Sequence, residues 1–238
     1  MGMDDMFGWK TKTNAMPRRS LEATGAYDGG LTALTHGLMA GTRVASNLGW
    51  RAIEALAVGD MVLTFDNGMQ EITEIRRSTV WMDAPDTAPA MWPVIVPAGA
   101  LGNRQELTLL ADQGVLVESD AASDMYGDPF AVIPAQSLDG VRGIYRAAPA
   151  QQIELIAVYF ADEQVIYAEG APTESLYTGT EALRALKPDA RDEILMLFPE
   201  LVERDYSPEP ALPIPIAKKQ KKIVARHLAN RKSLLSYA

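Results

Sequence analysis

Apolar and polar residues alternate in short runs from Gly41 to Arg77, and turn residues break each run. Thr42 to Ala45, Arg51 to Ile53, Met61 to Phe65 and Gln70 to Arg76 read as strands. Asn47-Leu48-Gly49, Val58-Gly59-Asp60 and Asp66-Asn67-Gly68 read as the turns between them. The last is a strong hairpin signal, because Asn-Gly accepts positive φ. A second strand-rich stretch holds Trp92 to Val96, Leu107 to Leu110, Val115 to Glu118, Phe130 to Ile133, Ile153 to Phe160 and Val165 to Ala168. Alternation is imperfect there, as expected of strands covered on both faces. Ser119 to Asp128 interrupts this stretch and reads as a polar, acid-rich loop. The pattern predicts a mostly β fold built as an antiparallel meander.

Helical spacing enters late, at Thr180 to Leu186 and at Pro188 to Phe198, where Pro199 stops the second helix. These are expected as short C-terminal helices of the same domain. Ser207 to Pro215 has four prolines in nine residues, a composition that favours an extended, semi-rigid linker. Beyond it, Ile223, Val224, Leu228 and Leu235 fit a basic amphipathic helix that forms on docking. At the other end residues 1–35 carry no sustained period, and they read as an extended arm with one short helix near Ser20 to Thr24. Phe7, Trp9, Leu21 and Tyr27 give that arm apolar anchors worth roughly 1.5 to 3 kcal/mol each when fully buried. The expected organisation is an N-terminal arm (1–36), a β domain (37–201), a Pro-rich linker (202–217) and a C-terminal tail (218–238).

Composition sharpens this picture in two places. The chain of 238 residues has no cysteine, which removes disulfides, thiolate metal sites and thiol nucleophiles together. The net charge of −9 is unevenly spread: residues 216–238 hold seven Lys or Arg and no acid, so all 31 acids lie in the preceding part. An acidic body therefore carries a basic tail. Met1-Gly2-Met3-Asp4-Asp5 lacks the positive charge of a secretory leader, and no apolar run approaches the roughly 18 residues of a membrane span. The expected location is the cytoplasm, with peripheral association to a membrane-bound complex as an extension of it.

Several blocks, taken in order, resemble bacterial Hint (hedgehog/intein) domain proteins. They are Ala40 to Ala45, Gly49-Trp50-Arg51, Ile53 to Leu56, Val58-Gly59-Asp60, Val62-Leu63-Thr64, Pro97 to Gly102, Ala168-Glu169-Gly170, Thr173-Glu174-Ser175 and Leu197 to Leu201. The resemblance implies a Hint-type curved arrangement of antiparallel strands over roughly residues 37–201. It also implies what an active member would need. Such a domain opens on a Cys, Ser or Thr that attacks the preceding carbonyl, and it uses a His to polarise the scissile amide and help its nitrogen leave. Carried onto this chain, the nucleophile position falls on Gly37 and the His position on Gln113; a downstream His position falls on Glu163. Glycine cannot attack, and an amide cannot shuttle a proton near neutral pH.

Substitute chemistry has few starting points. Thr35, His36, Thr42 and Ser46 lie near the vacated position, and they support a rival reading as a self-cleaving domain with a Ser or Thr nucleophile. Asp120, Asp124 and Asp128, with Ser119 and Ser123, lack the ligand spacing of a calcium loop, so an acidic solvated loop is the preferred reading. No metal or other cofactor is expected. The leading expectation is a non-catalytic scaffold or accessory subunit that docks on other protein subunits through its arms. Phe7, Trp9, Lys218, Lys219, Lys221, Lys222, Arg226, Arg231 and Lys232 are the contact candidates, while His227 reads as a solvated residue of the basic face. An acidic protein surface fits the tail first and an anionic membrane surface second. Specific nucleic-acid binding is not expected, since the acidic body repels phosphate and Tyr237 is the tail's one aromatic for stacking.

Overall fold

A computed structural model describes residues 19–22, 37–149, 152–175, 217–230 and 232–236. Fifteen strands and two α-helices make up the described chain. The strands are β1 (Arg19–Glu22), β2 (Leu38–Met39), β3 (Arg43–Ser46), β4 (Gly49–Ala52), β5 (Met61–Thr64), β6 (Gly68–Glu71), β7 (Glu74–Trp81) and β8 (Val94–Val96). They continue as β9 (Leu107–Leu109), β10 (Gly114–Glu118), β11 (Phe130–Pro134), β12 (Tyr145–Arg146), β13 (Gln152–Tyr159), β14 (Val165–Ala168) and β15 (Ala171–Glu174). The helices are α1 (Asp120–Tyr126) and α2 (Ala217–Asn230).

The strands form three sheets. The longest pairing joins β7 and β13 over eight residues each, from Gln152 opposite Trp81 to Tyr159 opposite Glu74. Strand β2 extends this sheet on one side and β1 on the other. A larger sheet runs β11-β10-β15-β14-β3-β5-β6, with β4 hydrogen-bonded to β3, and a small one runs β12-β8-β9. The expected Asp66-Asn67-Gly68 turn does join β5 to β6, and Gly68 takes φ +64° there. Among the described residues every strand pairing is antiparallel except β1 on β7. The mostly β, antiparallel architecture expected of the sequence is thus what the chain adopts. Val44, Ile53, Val62, Ile72, Leu101, Val115, Ile156 and Ile166 share one apolar core between the sheets. Among the described residues no helix is long and apolar enough to cross a membrane.

Three local expectations are corrected. Arg19–Glu22 is a strand laid parallel to Ser78 through Trp81 of β7, where a short helix was expected. A helix of one turn gains little by itself, whereas the open edge of β7 offers partners for the backbone groups. The Ser119 to Asp128 segment is mostly helix rather than loop: the Ser119 side chain accepts the Ala121 N–H and Gly127 closes the far end at φ +77°. Ser and Gly, read as loop formers, here act as caps. The basic segment is not a free arm either. Ile223 and Leu234 are fully buried in the same core as the sheets, so the described residues of this segment, 217–230 and 232–236, pack on their own domain. The expected helices at 180–186 and 188–198, and nearly all of the Pro-rich linker, lie outside the described residues.

Candidate functional site

Gly37 enters the domain just ahead of β2, whose Leu38 and Met39 pair with Ile156 and Leu155 of β13. Its φ is +131°, a conformation that favours glycine. A Cβ built on it would lie 2.7 Å from the Ile156 carbonyl oxygen, 2.8 Å from its carbon and 3.0 Å from the Ala157 nitrogen. Those atoms belong to the central strand of a ladder and cannot rotate away. The position therefore has neither a nucleophile nor room for one.

Gln113 and Glu163, the two other positions expected to have lost a His, are brought together by a third residue. Gln113 sits at the turn before β10, is 3% exposed, and donates from Nε2 to the Glu174 carbonyl at 2.8 Å. Glu174 ends β15 opposite Val165, two residues after Glu163. Its side chain is buried and hydrogen-bonded to that of Glu163. Burial first, then this bond and the neighbouring negative charge, push the Glu174 carboxyl well above the ordinary carboxylate range. The Gln113 Oε1 and Glu174 Oε1 atoms are buried without a hydrogen-bond partner. Gly114 makes this possible: a Cβ there would overlap Glu174 Oε2 and lie 2.7 Å from Val132 Cγ1. Glu174 and Gly114 were missed as members of the site. An acid on a strand reads as an edge residue, and only the fold shows that it is covered.

The family model of the Hint domain matches residues 36–180, more than half of the chain. The chain belongs to the Hint family. This fold is associated with self-splicing and self-cleavage. Similar solved structures include the gp41-1 intein (14% identity, 58% of this chain and 96% of that chain, TM-score 0.34). The MchDnaB-1 intein (N145AA) is 13% identical over 59% of this chain and 99% of that one, with a TM-score of 0.38. The bacterial intein-like domain from Clostridium thermocellum is 14% identical over 58% and 97%, with the same TM-score of 0.38. No curated protein matches the sequence.

The remaining candidates of this Hint protein fall into place around that core. Ser46 Oγ donates to the Gly49 carbonyl at 2.8 Å and accepts the Leu48 N–H, which engages it in the β3–β4 turn. Thr42 is buried, and its carbonyl accepts the Ile53 N–H at 2.8 Å. Asp120 and Asp124 lie on α1 and face bases of the tail, while Asp128 caps the Phe130 N–H at 2.8 Å. No group of three His, Cys, Asp or Glu among the described residues is placed to hold a metal ion. In the tail, Lys218, Lys221 and Lys222 are exposed, and Lys219 Nζ sits 4.4 Å above the Tyr126 ring. Arg226 meets Asp124 at 3.9 Å and Lys232 meets Asp120 at 2.5 Å, all four side chains being more than half exposed. His227 is buried at 5% exposure, which corrects the reading of it as solvated. Phe7, Trp9, Thr35, His36 and Arg231 lie outside the described residues.

Proposed function

We propose that this Hint domain has no self-cleaving chemistry and serves as a scaffold or accessory subunit of a protein assembly. The observation that carries the proposal is the contact at Gly37: β13 occupies the space in which the attacking side chain would stand. The site around Gln113 supports the same reading. Its amide is committed to the Glu174 carbonyl, and the adjoining carboxyls bond to each other. Of the hydroxyls of the rival reading within the described chain, Ser46 is committed to its own turn and Thr42 is buried.

The docking half of the proposal rests on charge. The inner face of α2 is used within the chain, so a partner meets its outer face, where Lys218, Lys221 and Lys222 project from successive turns with no acid among the described residues in an ion pair with them. Such a surface fits an acidic protein first and an anionic membrane second. Intact-mass measurement of the purified native chain, incubated with dithiothreitol or hydroxylamine, tests the first half: full mass is expected, and a cut between residues 36 and 37 overturns it. A pull-down at low and moderate salt tests the second. A defined set of co-purifying proteins that is lost on joint K218E, K221E and K222E substitution is expected; a bait that comes alone at both salts overturns it.

A further inference from the structure

The docked C-terminal segment holds one buried ionisable group that neither the fold nor the proposed function uses. His227 follows Ile223 by one helical turn, on the face of α2 that meets the body. Around it the segment is fastened at several points. The Leu234 carbonyl accepts the Glu118 N–H at 2.8 Å, and the Ser236 N–H donates back to Glu118 Oε2 at 2.7 Å. Ser137 Oγ donates to Gln220 Oε1 at 3.1 Å. Ile223, Leu234 and Leu235 are fully buried. In the midst of these contacts neither nitrogen of the His227 ring has a hydrogen-bond partner of normal geometry.

We propose that residues 217–236 form an acid-released latch, held on the domain by the neutral form of His227 and let go when that ring takes a second proton. A neutral imidazole is tolerated at this buried position, whereas an imidazolium there loses more hydration than the polar groups around it replace. The charged groups on the elements packed around this segment come from three of them. From β10 there is Glu118, whose carboxylate already accepts the Ser236 N–H. From α1 there are Asp120 and Asp124, paired with Lys232 and Arg226 respectively. From its own segment there are those same two bases, each already paired with its acid. Asp120 favours the imidazolium, as do backbone groups of Lys232, Glu118 and Ser233. Burial outweighs them and pushes His227 below its ordinary range.

The sign follows from proton counting. A lowered value in the docked state means that the docked segment binds fewer protons than the released one, so docking is at full strength above the ordinary His value of about 6.5 and weakens as pH falls below it. The docking equilibrium changes by up to tenfold per pH unit between that value and the docked one. Asp120 acts in a separate, lower window. Lys232 lowers its pKa, so its contribution is present above the ordinary value of 3.8 and is lost as pH falls further. Release that sets in as pH falls through about 6.5 therefore belongs to His227.

Hydrogen exchange of the full chain, read by mass spectrometry at pH 7.2, 6.2 and 5.2 and corrected for intrinsic rates, tests the latch. Peptides from this segment are expected to lose protection progressively once the pH falls below about 6.5, by no more than about tenfold per pH unit, while β7 and β13 keep theirs. His227→Phe should hold the segment protected across the range. A native segment that stays protected at pH 5.2, or a His227→Phe segment that loses protection in parallel with it, overturns the proposal. Ring titration by NMR in the native chain gives a reading that does not depend on the variant folding: a value below that of free histidine supports the latch, and one at or above it overturns it.

Discussion

Placing a cysteine at position 37, where the resemblance expects a nucleophile, asks whether the fold has space for one. Gly37→Cys places a Cβ 2.7 Å from the Ile156 oxygen and 2.8 Å from its carbon, at a φ of +131° that side chains rarely adopt. The backbone conformation costs about 1–3 kcal/mol. Relieving the overlap requires β13 to shift, and Ile156 is held on both sides, by Leu38 of β2 and Arg77 of β7. Forcing extra atoms into a packed site costs about 1–3 kcal/mol more. The sum, about 2–6 kcal/mol, is a large share of the roughly 5–15 kcal/mol that stabilises an ordinary domain. Urea unfolding followed by tryptophan fluorescence measures it, with Gly37→Ala as the control that adds the carbon without the thiol. Both variants should lose at least 2 kcal/mol, and Gly37→Cys should keep its full mass in dithiothreitol. A cysteine variant within about 0.5 kcal/mol of the parent, the usual range of a neutral surface change, refutes the steric argument. Cleavage at 36–37 refutes the functional one.

Three further outcomes test other parts of the structure. Glu174→Gln keeps the shape of the buried pair and removes one titration. Because the folded value is raised above the ordinary 4.5, the parent loses stability as pH rises from there toward the folded value, by up to about 1.4 kcal/mol per unit; urea unfolding at pH 5, 7 and 9 should show this slope flattened in the variant. Ile223→Ala empties a fully buried site and should weaken docking of α2 by about 2–5 kcal/mol, read as exchange in 217–236 with β7 and β13 unchanged. Asn103 is buried and its amide donates to the Val96, Pro97 and Gln105 carbonyls while accepting the Leu101 N–H. Asn103→Ala strands these groups and should cost about 2–4 kcal/mol, visible as a lowered melting temperature.

What the sequence made legible, and what it did not, follows from range. The β5–β6 hairpin is written in contiguous residues, with Asn67-Gly68 at its turn and Val62 in its core face, and it could be read without a partner. Strand β1 could not, because its register depends on an edge more than fifty residues away. Gly37, Gln113 and Glu163 were singled out through resemblance, as positions expected to lack the groups an active member uses, and the sequence could say no more than that. That β13 fills the first position, and that Glu174 joins the other two, are facts of packing between distant strands. The tail shows the same limit: its apolar spacing announced a docking helix, yet nothing in Ile223 or Leu234 says that the dock is the chain's own α1 and β10.

The fastening of Leu234 and Ser236 to Glu118 spans more than a hundred residues, and this sets an order of events during synthesis. Chains fold from the N-terminal side as they emerge, and contacts distant in sequence form late. Strands β10 and β11 and helix α1 are complete long before residues 217–236 have been made. Until then the faces of Ala121 and Ala122 lack the cover that Ile223 and Leu234 bring to the shared core. The nascent domain therefore passes through an interval with an apolar face exposed beside an acidic helix, and it is in this interval that a chaperone, or a basic segment of another chain, has its opportunity to bind.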